Sequence, residues 1–226
     1  MTNDNTAGSP RHRYWRWCRV PLPTLRGWLV LVVSATILLV GGCRQLHPFL
    51  AVTDHEPGGL LVVEGWAPDA AFRAAVAEFN AHSYDALCVT GGPIDYGAPL
   101  SQHSTYADRG ASIALALGMG TNVVRAIPAP PVRADRTYVS AKTLKQWVDQ
   151  QPHPVSRITV LTLGPHARRS RLLFQQAFGS SVQVGIISVP ALDYDPARWW
   201  RTSAGVRTVI GELLSYGYAR LLFNGS

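Results

Sequence analysis

Between residues 59 and 223, short apolar runs alternate with amphipathic ones, and that alternation restricts the fold more than any other feature of the chain. Strand-like runs fall at 59–64, 87–90, 123–127, 158–163 and 182–189. Between them, helical spacing places Phe72, Val76 and Phe79 on one face at 68–82. It places Tyr106, Gly110, Ile113, Ala114 and Leu117 together at 104–117. Tyr138, Ala141, Leu144 and Val148 line one side of a helix over 135–150, which Asp135 can cap. A further helix follows Gly164-Pro165, and a last one spans 205–223 with Val206, Val209, Ile210, Leu213 and Leu214 read as core-facing. Alternation of this kind predicts βαβ units with right-handed crossovers. The fold class is therefore α/β, a Rossmann-like three-layer sandwich around a mostly parallel sheet. Ligands bind such sheets at the carboxyl ends of the strands. Three polar loops fall there: Glu64-Gly65-Trp66, Thr90-Gly91-Gly92-Pro93 and Gly164-Pro165-His166.

Charge is unevenly placed along the chain. Residues 1–44 hold six arginines against one acid, whereas residues 45–226 are nearly balanced, with fifteen basic and thirteen acidic side chains. The high pI thus belongs mainly to the N-terminal tail, and nucleic acid is discounted as a partner. Residues 27–43 are apolar enough, at roughly 25 Å as a helix, for the short end of a membrane span. Arg11, Arg13, Arg16, Arg19 and Arg26 precede that span and only Arg44 follows closely, so the positive-inside rule exports the rest. Trp15, Trp17 and Trp28 suit the interfacial belt. The expected organisation is a basic cytoplasmic tail (1–26), an anchor (27–43), a linker (44–58) and an α/β domain (59–226). The expected location is a bacterial inner membrane, single pass, with the domain outside. Two processing outcomes stay open: an uncleaved anchor, or a lipoprotein-type signal in which Val40-Gly41-Gly42-Cys43 presents Cys43 for lipidation. Cys18, Cys43 and Cys88 show neither a disulfide framework nor metal-ligand spacing, and Cys88 reads as a small core residue.

The run Gly164-Pro165-His166-Ala167-Arg168-Arg169-Ser170-Arg171 crowds positive charge into the first two turns of a helix. The macrodipole already presents positive charge there, so cations are unfavourable unless an anion is shared with the free backbone N–H groups. Arg168 and Arg169, with Gly164 as a backbone donor, are accordingly candidate ligand-binding residues. Arg136, Thr137 and Ser140 occupy the start of another helix, and Gly65, Gly91 and Gly92 allow close backbone approach. Glu64 ends an apolar strand, where a buried carboxylate requires a partner; Arg73 in the next helix is one, either as a structural pair or within a site. Glu64 and His166 are the candidate acid–base pair. Trp199-Trp200 either covers the cleft or packs in the core. No dinucleotide fingerprint, Walker loop, nucleophile constellation or metal set is visible.

Five spaced segments carry a resemblance. Val62-Val63-Glu64-Gly65-Trp66, a helix containing Arg73, Thr90-Gly91-Gly92, Asp135-Arg136-Thr137-Tyr138-Val139-Ser140-Ala141 and Gly164-Pro165-His166-Ala167-Arg168-Arg169 together resemble the YdcF/SanA/ElyC family. The resemblance covers about residues 58–222. It implies an N-terminal membrane helix, a Rossmann-like domain and a link to envelope integrity and peptidoglycan or lipid-carrier metabolism. Arg136-Thr137-Tyr138-Val139-Ser140 stands where an Asn-Thr-x-Glu-Asn motif is usual, which marks a distinct subgroup. Three functions are consistent with these residues. The first is a tethered envelope domain binding an anionic or phosphorylated small molecule or lipid-linked precursor. The second is a non-catalytic envelope scaffold. The third is a domain for a nucleoside-type cofactor such as S-adenosylmethionine, on fold grounds alone.

Overall fold

The computed structural model describes residues 23–94 and 102–225. The basic tail with Arg11, Trp15, Trp17 and Cys18, and part of the loop after Gly92, lie outside the described residues. The chain divides into two compact units, residues 1–40 and 41–226. Helix α1 (Leu25–Leu50) begins in the first. It is long and apolar enough to cross a membrane, a test that a signal sequence near the N-terminus also passes.

The second unit is built on five parallel strands, β1 (Leu60–Glu64), β2 (Ala86–Gly91), β3 (Val124–Pro128), β4 (Arg157–Leu163) and β5 (Gln183–Val189). Their order is β3-β2-β1-β4-β5. Helices α2 (Asp69–Ala81), α3 (Tyr106–Ala116), α4 (Arg136–Asp149) and α5 (His166–Phe178) supply the crossovers, and α6 (Ser203–Leu221) follows β5. This is the Rossmann-like α/β architecture that the alternation predicts.

Strands of such a sheet are covered on both faces and read as continuous apolar runs. Every residue of β1 and β2 is buried. The two-residue period then splits them between two cores. Leu60 and Val62 join Ala141, Leu144 and Phe174 of α4 and α5. Leu61 and Val63 face Ala71, Phe72 and Ala114 of α2 and α3. All four residues expected on the inner face of α4 are buried, and Cys88 is a core residue whose thiol is pushed up to about 12, first by burial.

Two expectations are corrected. The segment 44–58 is not a linker: Leu50 is fully buried, and Asp54 forms an antiparallel bridge to Ile186 on β5. The Thr159 hydroxyl donates to the Glu56 carbonyl, and the compact unit begins at Gly41. Polar backbone next to a sheet edge is satisfied by that edge, which draws the segment into the fold. Helix α6 also differs. Val209 is buried, but Val206, Ile210 and Leu214 are exposed, Leu214 at 69%. α6 packs against α5, which Glu212 joins through Arg169 and His166. Trp199 is core, its indole N–H donating to the Cys43 carbonyl, while the Trp200 ring lies partly exposed below Arg44.

Candidate functional site

The strand order reverses at β1, where one crossover runs to β2 and the chain later returns to add β4 on the other side. That is the topological switch point, at which the loops leaving adjacent strands diverge and open a crevice. A cleft of about 1180 Å³ lies there. Its floor carries Glu64, Thr90 and His166; Gly91, Gly92 and Tyr106 form one side, and Arg136, Thr137 and Ser140 another.

Glu64 is 3% exposed and ends β1. Its Oε2 accepts from the Ser170 hydroxyl at 3.0 Å, and its Oε1 lies 3.5 Å from His166 Nε2. His166 Nδ1 is 2.9 Å from Glu212 Oε1 on α6. Arg169 grips the same carboxylate with Nε 2.8 Å from Oε2 and Nη2 3.0 Å from Oε1. Arg169 Nη2 is also 2.9 Å from His166 Nδ1, a contact between two donors that only the shared carboxylate makes tolerable. Spacing explains the arrangement: His166, Arg169 and Ser170 sit at i, i+3 and i+4 and so share one face of α5. Trp66 lies edge-on to His166, ring centroids 5.1 Å apart.

Burial works against charge on all three members, and the mutual pairing overrides it. Burial pushes the His166 imidazolium down, yet the charge of Glu64 and the hydrogen bond to Glu212 lift it to about 9. Burial pushes Glu212 up, yet the bonds from His166 and Arg169 bring it to about 2. Glu64 is opposed by burial and held below its ordinary value by His166, then by Thr162 and Ser170. The two carboxylates thus favour the imidazolium form of His166. Its Nε2, and the Thr90 hydroxyl, are buried with no hydrogen-bond partner among the described residues.

A pH dependence of stability follows. A raised histidine value contributes stability that is complete below its unfolded value of 6.5 and vanishes as pH climbs through about 9. A depressed carboxylate contributes above 4.5 and loses that contribution as pH falls through about 2. The two shifts share the His166–Glu212 contact, so they are not summed. The urea midpoint is expected to peak between about pH 4.5 and 6.5 and to fall on both flanks, and Glu212→Gln should flatten the alkaline flank. A midpoint constant from pH 6 to 9 would contradict the pairing.

The sequence-predicted residues divide. Glu64, His166, Gly91, Gly92, Arg136, Thr137, Ser140 and Arg169 all line the cleft. Arg168 does not: its guanidinium stacks 4.1 Å from the Phe49 ring centroid and donates to the Phe49 carbonyl. Arg171 pairs with Asp54, and Arg73 is exposed on α2, so Glu64 is partnered by His166 and Ser170 instead. Gly164 adopts φ +42° to turn the chain into α5, and its N–H is taken by the Val189 carbonyl at 2.8 Å. Gly65 serves packing, since a Cβ there would sit 2.3 Å from the Tyr106 carbonyl oxygen. The crowding of arginines at the start of α5 thus needs no bound anion, because in-chain acceptors satisfy Arg168, Arg169 and Arg171. Sequence reasoning missed Glu212. Its one signal is that it is the sole acidic residue of α6.

The start of α4 has an unusual backbone. Asp135 is the sole non-glycine residue of positive φ among the described residues, at 56°, and its side chain makes no cap bond. α5 likewise begins without a side-chain cap, and neither helix has an acid in its first turn. Comparison of the chain with models of known families and with curated proteins finds no match.

Proposed function

We propose that the α/β unit binds a small molecule through an anionic group, phosphate or carboxylate, held in the cleft at the switch point. The observation that carries this reading is the start of α4. A strained Asp135, an uncapped helix and Arg136 all open into the cleft beside the uncapped start of α5. Uncapped helix N-termini present N–H groups and positive potential, and a left-handed aspartate is a conformation retained where geometry at a site requires it. If a reaction follows binding, His166 is the proton donor and Glu64 the carboxylate that keeps it charged; a base role for His166 is disfavoured at neutral pH.

The apolar α1 supports a membrane-attached setting. The resemblance to the YdcF/SanA/ElyC family supports an outward-facing domain in the bacterial envelope acting in cell-wall or lipid-carrier metabolism. A lipidated Cys43 is the alternative, less favoured form of attachment.

Thermal unfolding of the detergent-solubilised full chain tests the reading, with pyrophosphate and a nucleoside diphosphate compared with the uncharged nucleoside. The anionic compounds should stabilise, and Arg136→Ala should weaken them at least about tenfold, the scale of one charge-assisted hydrogen bond. Equal stabilisation by the uncharged nucleoside, or an unchanged Arg136→Ala, would remove the basis for it.

A further inference from the structure

At the opposite edge of the sheet from the cleft, three side chains with metal-ligating atoms converge. His55 comes from the segment before β1, Glu78 from the last turn of α2, and His82 from its C-cap. Their donor atoms all lie within 4.8 Å of one another. His55 Nε2 is 2.5 Å and His82 Nδ1 3.0 Å from the same oxygen, Glu78 Oε1, and the Tyr84 hydroxyl donates to it at 2.8 Å. The imidazole rings are 4.5 Å apart between centroids. Three donors on one carboxylate oxygen exceed what its lone pairs accept in good geometry, and no lysine or arginine among the described residues pairs with Glu78. A cation placed between the three relieves this, because it turns both imidazoles from competing donors into ligands.

We infer that His55, Glu78 and His82 form a zinc-type metal site that clamps the segment leading out of α1 to the end of α2. Two imidazole nitrogens and one carboxylate oxygen are a donor set for a borderline divalent ion such as Zn²⁺, and they exclude a preference for Ca²⁺ or Mg²⁺. Tetrahedral ligands at about 2.0 Å from such an ion stand roughly 3.3 Å apart, within the span the cluster already occupies. Glu78 and His82, at i and i+4, present adjacent donors by helix geometry alone. Tyr84 is buried and its hydroxyl donates to Glu78 Oε1, so it orients the carboxylate from outside the coordination sphere. The side chains of His55 and His82 are 31% and 37% exposed, which leaves a path for the ion and a fourth position for water. The sequence reading sees no metal set because His55 is separated from the other two by a strand and a helix. Only the fold joins them.

The test is Co²⁺ titration of the full chain in detergent, purified without a polyhistidine tag, followed by Zn²⁺ competition. One equivalent of Co²⁺ should give the visible bands of a four-coordinate ion, Zn²⁺ should displace it, and Zn²⁺ should raise the Tm by several degrees. His82→Ala and Glu78→Gln, both at positions where the fold should tolerate change, should each weaken binding about 100-fold or more. Tyr84→Phe should weaken it about tenfold while leaving the bands in place. Absence of binding at micromolar metal, or unaltered affinity in His82→Ala, would overturn the assignment. The readout does not involve the cleft, so it stands or falls separately from anion binding there.

Discussion

Glu212→Ala is expected to lower the stability of the α/β unit by about 3–5 kcal/mol, the cost of stranding a buried charge after its partner is removed. Glu212 holds two cations at once, His166 at 2.9 Å and Arg169 at 2.8 Å, and both of these are largely buried. Without it Arg169 and His166 face each other at 2.9 Å with nothing between them. The imidazole, left with Glu64 alone, should then titrate lower than in the parent chain, relieving part of the repulsion. The double variant Glu212→Leu/Arg169→Met should be more stable than Glu212→Ala alone, because replacing both partners removes the desolvation burden along with the attraction. Urea unfolding of the detergent-solubilised chain measures both. A shift below about 1 kcal/mol for Glu212→Ala, the range of exposed pairs, would show that the pair is solvated and does not join α6 to α5.

Gly65→Ala is expected to be nearly as damaging, at about 3 kcal/mol or more, the upper range for overpacking. The added carbon would lie 2.3 Å from the Tyr106 carbonyl oxygen, 2.7 Å from its carbon and 3.0 Å from the Thr90 carbonyl oxygen. All are backbone atoms, so no side chain can rotate aside. The Gly65 N–H also donates to the Thr90 carbonyl at 2.7 Å, which fixes the exit of β1 against that of β2. Since Thr90 and Tyr106 both line the cleft, the substitution should distort it as well. Gly92→Ala is the contrasting case. Its nearest neighbour would be the Pro130 carbonyl oxygen at 3.6 Å, an ordinary contact, so stability should change by less than about 1 kcal/mol. A tolerant Gly65→Ala would mean that β1 and α3 can separate there, and that the close backbone approach is not a requirement of the fold.

Much of the architecture was present in the one-dimensional pattern. Leu60-Leu61-Val62-Val63 is apolar without interruption because both faces of β1 are covered. Tyr138, Ala141, Leu144 and Val148 recur at helical spacing because a single face of α4 meets the sheet. These are local consequences of backbone geometry, and a sequence records them directly. The strand ends that meet at the switch point are legible for the same reason, which is why Glu64, His166, Gly91, Gly92 and Arg136, singled out in the sequence, lie together along the cleft.

Charge could not be read in this way. The basic run at the start of α5 looks deficient in counter-charge only while its neighbours are unknown. Glu212, Asp54 and the Phe49 ring and carbonyl supply what it needs, from 43 to 119 positions away. The exposed apolar face of α6 was misread likewise, since helical periodicity shows that a face is apolar and not what covers it. Periodicity is a property of neighbouring residues, so the chain alone determined the strands, the helices and the edge of the sheet where the cleft opens. Pairing between buried charges acts through space, so tertiary structure alone decided which cations are satisfied, and it brought His55 to Glu78 and His82.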